Sequence, residues 1–127
     1  MSKPPVKKKP PVKKKETSIQ KKILTALNET QRCYVKRNHT GAGTLYGRYV
    51  TFGLGKGGTD LVGILAVTGR VFCLEIKTPA GRTDPARAKE QEEWQTMIRK
   101  WGGFATVVRS VEQAIEALTR AERGESQ

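Results

Sequence analysis

Long apolar runs, cysteine and histidine are scarce in this sequence, and each shortage excludes a class of protein. No apolar run approaches the roughly 18 residues that span a bilayer, and none follows the basic N-terminus as a secretory signal requires. Two cysteines and one histidine are too few for the usual zinc site, so we expect Cys33 and Cys73 to be free, buried thiols in a cytosolic protein. The 127 residues, of which 36% are hydrophobic and 6% aromatic, allow one compact domain with a modest core.

Acidic residues are half as numerous as basic ones, 12 against 24, which leaves a net charge of +12. Residues 1–15 contain seven lysines and no acid, and PPVKKK occurs there twice in tandem. Proline pairs and like charges predict an extended, disordered arm that binds phosphates without reading sequence, with Lys13, Lys14 and Lys15 as candidate DNA contacts. A solubilising tail is the alternative. No amphipathic helix accompanies the arm, which favours nucleic acid over a membrane as its partner.

The rest of the sequence alternates helical and strand patterns. Apolar spacing predicts a first helix over 17–30, and Asp84 before Pro85 predicts the start of a second. One face of that second helix includes Trp94 and Trp101, which we expect in the core or at a dimer interface. Strands are predicted at 33–35, 48–52, 61–67, 71–74 and 104–109, with loops at 37–47 and 53–58 and a last helix after Ser110. This order predicts an α/β domain over residues 16–122, a small mixed β-sheet flanked by helices, followed by a polar tail at 123–127.

Three glycines match the GxGxxG pattern of dinucleotide-binding proteins. Gly53, Gly55 and Gly58 precede a predicted strand, whereas that fingerprint requires the glycines to leave a strand and open a helix. We therefore predict a turn at this position and no nucleotide cofactor.

Charged side chains flank the two apolar runs of a predicted hairpin. Asp60 precedes the first run, and Glu75 and Lys77 follow the second. A two-residue turn at 68–69 places Asp60 opposite Lys77, and a turn one residue later keeps the same parity, so all three side chains share one face. Two carboxylates on neighbouring strands suit Mg²⁺ or Mn²⁺, with the backbone carbonyl of Ile76 as a further ligand and Lys77 beside the attacking water. A surface cluster of charges at the strand ends is the alternative.

These residues resemble the PD-(D/E)XK nuclease superfamily and, within it, the VRR-NUC branch of virus-type replication-repair nucleases. The likeness rests on Gly58-Thr59-Asp60, on Glu75-Ile76-Lys77 and on the downstream Gln91, and it runs from Glu16 to about Gln113. Thr59 stands where the superfamily name has proline, which leaves the acid intact. The resemblance implies a restriction-endonuclease-like core.

The resemblance also implies roles for individual residues. Asp60 and Glu75 would be metal ligands and Lys77 the catalytic lysine, while Gln91 would project toward the same site. Glu16, from the first helix, would reach the metal directly or through water. Candidate DNA contacts in the folded domain are Arg37, Asn38 and Lys56.

The activity that the resemblance implies is Mg²⁺- or Mn²⁺-dependent cleavage of DNA. Small members of this branch are implied to be homodimers that cut branched DNA such as Holliday junctions, in repair or recombination within a bacterial or phage-infected cytoplasm. Two alternatives remain at this point. One is a nuclease without junction preference, of the end-processing or restriction type, and the other is a non-catalytic basic module that binds DNA.

Overall fold

The computed structural model describes residues 12–79, 81 and 83–127, and side chains from residue 17 onward apart from Phe52. This part of the chain contains three helices and six strands. In chain order they are α1 (Val12–Glu29), β1 (Cys33–Arg37), β2 (Gly41–Leu45), β3 (Arg48–Phe52), β4 (Leu61–Leu65), β5 (Val71–Ile76), α2 (Pro85–Lys100), β6 (Phe104–Val108) and α3 (Val111–Glu122).

Four strands form one sheet in the order β1-β4-β5-β6, and β2 pairs with β3 in a separate two-stranded sheet. The pairs β1–β4 and β4–β5 are antiparallel, whereas β5 and β6 are parallel and are connected through α2. The predicted α/β class, with a small mixed sheet flanked by helices, is confirmed. The parallel pair matters for the site, because the carboxyl ends of β5 and β6 lie at the same edge of the sheet.

The hydrophobic core lies between the sheet and the pair α1 and α3. Alternate residues of β5 point into it, and the Phe72 ring stacks on Phe104 of β6 with their centroids 5.4 Å apart. Ile23 and Leu27 of α1 and Leu118 of α3 are fully buried against these strands. Burial of one such side chain contributes about 1.5–3 kcal/mol to stability. No helix among the described residues is long and apolar enough to cross a membrane.

Helix α2 lies on the opposite side of β5 and β6, and its buried side chains are polar, Gln91 and Gln95. Its start is as predicted: Asp84 accepts a hydrogen bond from the backbone N–H of Arg87, with Pro85 at the first helical position. The start of α3 is also confirmed, since Ser110 caps it by accepting from the Gln113 N–H. Trp101, expected in the core or at a dimer interface, is not in the core, because this side chain follows the last turn of α2 and is 79% exposed, and the interface stays a prediction.

The first helix begins earlier than predicted. It starts at Val12 rather than at residue 17, so residues 12–15 are helical where we predicted an extended arm. After Pro11 the segment contains no proline or glycine, and lysine is a good helix former once the proline pairs end. Residues 1–11, which contain the remainder of the predicted arm, lie outside the described residues.

Two predictions in the strand region are wrong in detail. The segment Gly41–Leu45, predicted as loop, forms β2, because pairing with β3 compensates for the low strand propensity of its glycines. Strand β4 ends at Leu65, since Val67 adopts a φ of 70° in the turn. Val62 therefore pairs with Cys73, whereas the predicted register, which places Asp60 opposite Lys77, would pair Val62 with Glu75. The register is displaced by two residues, and an even displacement preserves which side chains share a face.

Gly63→Ala is expected to lower the free energy of unfolding by about 2 kcal/mol through overpacking. A Cβ at this position in β4 would lie 2.0 Å from the carbonyl oxygen of Tyr34 and 2.7 Å from the Cα of Val35, both in the backbone of β1. Gly43→Ala in β2 is the matched control, because nothing lies within 4 Å of its Cβ position. Urea unfolding followed by circular dichroism measures both variants, and equal midpoints would contradict the close approach of β1 and β4.

Candidate active site

The three charged residues predicted to form the site lie together at one end of the β4–β5 pair. Leu61 pairs with Leu74, so continuing the register by one residue places Asp60 opposite Glu75. The Oδ2 atom of Asp60 accepts a hydrogen bond of 2.7 Å from the backbone N–H of Ile76. This bond ties the loop before β4 to the end of β5, which brings the two carboxyl groups to the α2 side of the sheet.

Burial controls the ionisation of this carboxyl pair. Glu75 is only 5% exposed, and desolvation raises its pKa to about 8, with the charge of Asp60 as the second cause. Desolvation also raises the pKa of Asp60, against the hydrogen bond from Ile76. The positive charges of Lys77 and Arg87 lower both pKa values but do not outweigh burial. A further positive charge placed between the two carboxyl groups would therefore stabilise their ionised form.

Lys77 is held over the site by two side chains. Its Nζ atom donates to the hydroxyl oxygen of Thr83 and to Oε1 of Gln91, the latter at 3.1 Å. The amide nitrogen of Gln91 in turn donates to Oε1 of Glu75 at 3.2 Å. Gln91, which is 7% exposed, therefore bridges the lysine and the carboxyl group. Gln91 lies on the buried face of α2, and this position sets the spacing between the ammonium group of Lys77 and the carboxyl group of Glu75.

One oxygen of the site has no hydrogen-bond partner in the part of the chain that the structure describes. This atom is Oε2 of Glu75, which is buried, and a buried polar atom left in this state is costly. Carboxylate oxygens are the ligands that Mg²⁺ and Mn²⁺ prefer, so a divalent cation is a partner of suitable chemistry. Among the described residues no group of three or more His, Cys, Asp or Glu side chains forms a metal cluster. The available donors are therefore Asp60, Glu75 and the backbone of Ile76, which fits Mg²⁺ because it binds through one or two carboxylates and keeps several waters.

The site opens into a cavity of about 150 Å³ lined by the acids, by Lys77 and by Arg87. A second cavity of about 420 Å³ shares the two acids and Arg87 with it and is also lined by Lys56 and Thr40. Arg87 is a site residue that the sequence reasoning missed. Arg87 lies in the first turn of α2, where a positive charge is unfavourable because it opposes the helix dipole. This unfavourable placement is the feature of the sequence that could have indicated a functional role.

Of the remaining predicted DNA contacts, one lines a cavity of the site and two bind within the protein. Lys56 borders the second cavity. Arg37 donates to the side-chain oxygen of Gln20 in α1 at 3.0 Å, and Asn38 donates to the carbonyl of Thr59 at 3.2 Å, so both bind within the protein. Glu16 lies in α1 one turn before Gln20.

The side chains of Glu16, Lys13, Lys14 and Lys15 are outside the described residues, and the roles predicted for them stay predictions. His39 is exposed at the end of β1 and does not line either cavity. The cysteines are buried and free, as expected.

A comparison with solved structures gives the architecture a known counterpart. The chain is similar to a structure described as a VRR_NUC domain, with a TM-score of 0.51 and 25% sequence identity. The similarity covers 83% of this chain and 95% of that domain. No protein-family model matches the sequence, and no curated protein matches it. The resemblance inferred from the residues is confirmed at the level of structure, and the chain has the fold of a VRR-NUC nuclease domain.

Proposed function

We propose that this protein is an endonuclease that hydrolyses phosphodiester bonds of DNA with Mg²⁺ or Mn²⁺ held by Asp60 and Glu75. The observation that carries the proposal is the buried Oε2 of Glu75 opposite Asp60, which no described residue hydrogen-bonds, in a cavity that Lys77 also lines. The net charge of +12 favours binding of polyanions, and two carboxylates without a ligand would repel a polyanion locally. A cation that both carboxylates and a DNA phosphate can share removes this repulsion.

When bound, the cation supplies Lewis-acid stabilisation of the charge that develops on the phosphate. The other parts of the reaction belong to side chains of the protein. Lys77, held by Gln91 and Thr83, is positioned to orient the attacking water and to neutralise charge on the phosphate oxygens. Arg87, which also lines the cavity, offers a guanidinium to the same phosphate or to its neighbour.

The proposal extends to branched DNA and to a homodimer. An exposed apolar row crosses the α2 side of the sheet: Tyr34 pairs with Ile64, and Ile64 pairs with Val71. Exposed Trp101 follows α2 two residues before Gly103, which lies against Val71. An apolar surface of this kind supports contact with a second copy of the chain. A two-fold dimer would present two sites to a symmetric four-way junction.

A substrate panel tests the activity and its selectivity together. The full-length protein is incubated with a four-way junction, a flap and a linear duplex of matched sequence, with Mg²⁺, with Mn²⁺ and with EDTA. We expect cation-dependent products, with the junction cut at least tenfold faster than the duplex. Equal cutting of all three substrates would leave a nuclease without junction preference. Salt-sensitive binding without products under any cation would contradict nuclease activity and favour the non-catalytic DNA-binding module.

A further inference from the structure

The hairpin formed by β2 and β3 stands apart from the rest of the domain. Its strands pair with each other and with no other strand among the described residues. Every described side chain of the hairpin is exposed or half-buried, including Tyr49 at 76%. An isolated two-stranded hairpin is only marginally stable in water. A hairpin with both faces uncovered is therefore a candidate for binding a partner.

The tip of the hairpin contains a residue that the fold itself does not require. Tyr46 and Gly47 have φ values of 50° and 75°, so they form a two-residue turn in which both central residues are left-handed. Asn-Gly or Gly-Gly adopts such a turn readily, whereas a bulky side chain at positive φ is strained. Tyr46 is nevertheless 96% exposed. Tyr46 therefore has a strained backbone, and its exposed ring contributes little to the stability of the fold. Binding of a ligand explains a tyrosine at this position better than stability does.

The charge around the hairpin indicates the chemistry of that ligand. Residues 30–59 contain no aspartate or glutamate, although they include Lys36, Arg37, Arg48 and Lys56. Arg48 follows the turn directly, next to Tyr49. Aromatic rings that stack on bases, beside guanidinium groups that bind phosphates, are the usual combination of surfaces that bind single-stranded nucleic acid.

The base of the hairpin is joined to the wall of the candidate active site. Asn38 makes this connection, since its amide donates to the carbonyl of Thr59 while its oxygen accepts from the Thr40 hydroxyl and from the Leu54 N–H. Thr40 precedes β2 and Leu54 follows β3, so one side chain anchors both ends of the hairpin next to Asp60. Strands of five residues extend about 16 Å. This reach corresponds to about five nucleotides at roughly 3.4 Å per step.

We infer that the β2–β3 hairpin binds DNA at positions where bases are unpaired, with Tyr46 stacking on an exposed base and Arg48 binding the adjacent phosphate. The inference rests on the proposed function only in that the same DNA enters the active site. It adds a specificity element: a fully paired duplex offers no free base face to Tyr46, whereas a junction, flap or gap does. Selectivity for branched or gapped DNA would then come from the hairpin rather than from the metal site.

The test compares binding to a duplex with a four-nucleotide gap and to the intact duplex, both in EDTA so that no cleavage occurs. Tyr46→Asn removes the ring and installs the residue that this turn prefers, so the hairpin keeps its shape. We expect Tyr46→Asn to lose about tenfold in affinity for the gapped DNA, the size of one lost stack, and less than twofold for the duplex. Tyr46→Phe should bind both as the wild type does.

Stacking is observed directly with 2-aminopurine placed in the gap at successive distances from the duplex end. Quenching of its fluorescence by the wild type and by Tyr46→Phe, but not by Tyr46→Asn, is the expected signature. Arg48→Gln should weaken binding to both DNAs and reduce the slope of log affinity against log salt by about one. Val67→Asn, which makes the same kind of replacement at an exposed turn residue of positive φ between β4 and β5, is the control and should change neither affinity nor quenching.

Each other outcome overturns the inference. Unchanged gapped-DNA affinity in Tyr46→Asn removes the stacking role, and an equal loss in Val67→Asn shows a general effect on the protein. A loss of dimer mass in light scattering, with unchanged DNA affinity, assigns the hairpin to a second copy of the chain. Failure of the proposed function is separable, because Tyr46-dependent binding in EDTA without cleavage in the cation panel retains the hairpin and rejects the nuclease.

Discussion

Glu75→Gln is expected to lower the rate of DNA cleavage by about a thousandfold or more, because it removes one of the two negative charges that would hold the cation. Glutamine has nearly the same shape and can still pair with the Gln91 amide, so the fold should be retained. The variant should bind DNA in EDTA as well as the wild type near pH 7, since Glu75, with a pKa of about 8, is largely uncharged in the metal-free protein. Single-turnover cleavage at saturating Mg²⁺ and a DNA titration in EDTA measure the two effects.

Glu93→Gln is the matched control, because Glu93 is an exposed glutamate of α2 that lines neither cavity of the site. It should cut DNA at the wild-type rate. Wild-type turnover by Glu75→Gln would remove Glu75 from the metal site and leave the unpartnered Oε2 atom without an explanation.

The same variant has a pH signature in the metal-free protein. Glu75 has a folded-state pKa of about 8 against an ordinary value of 4.5, so between these pH values the folded protein binds more protons than the unfolded chain. The free energy of unfolding of the wild type should therefore fall as pH rises from about 5 to 8. Glutamine does not titrate, so Glu75→Gln should show a flatter profile and exceed the wild type in stability near pH 8. Urea midpoints in EDTA across this range measure the difference.

The site was predictable from sequence because it depends only on which residues share a face of the sheet. The exact pairing of residues across the two strands does not matter, as long as it is shifted by an even number of residues. Any turn that keeps an odd sum of paired residue numbers places Asp60, Glu75 and Lys77 on one face. The observed turn does so even though it is longer than predicted. The length itself was not predictable, since Val67 continues an apolar run yet lies in the turn with positive φ. Hydrophobicity alone does not reveal that a valine, which disfavours positive φ, adopts positive φ in a turn.

Other features were hidden because they depend on partners distant in sequence. Gly41–Leu45 has the composition of a loop and becomes a strand only through pairing with β3. The role of Asn38 in anchoring the hairpin is likewise invisible until Thr59 and Leu54 lie beside it. In contrast, the caps at Asp84 and Ser110 are local, and local chemistry was sufficient to predict them.

Lys77→Met is expected to reduce the cleavage rate by a factor of about 100 to 1,000 without weakening the binding of Mn²⁺. Methionine keeps much of the length of the side chain but cannot orient water or neutralise charge on the phosphate. Mn²⁺ affinity, measured by calorimetry, should stay the same or increase, because a positive charge next to the cation has been removed. Glu75→Gln should instead lose Mn²⁺ affinity. The two variants therefore distinguish a residue that binds the metal ion from a residue that acts on the water or the phosphate.

Lys89→Met, at an exposed lysine of α2, controls for the loss of one positive charge and should leave the cleavage rate unchanged. If Lys77 only balanced the buried acids, its removal would destabilise the metal-free protein and saturating Mn²⁺ would restore wild-type turnover, since the cation would replace the lost charge. A slow rate that persists at saturating Mn²⁺ in a stably folded variant requires Lys77 to act on the water or the phosphate. The hydrogen bonds from Lys77 to Gln91 and Thr83 favour this second result, because they hold the ammonium group at the cavity that both carboxyls line.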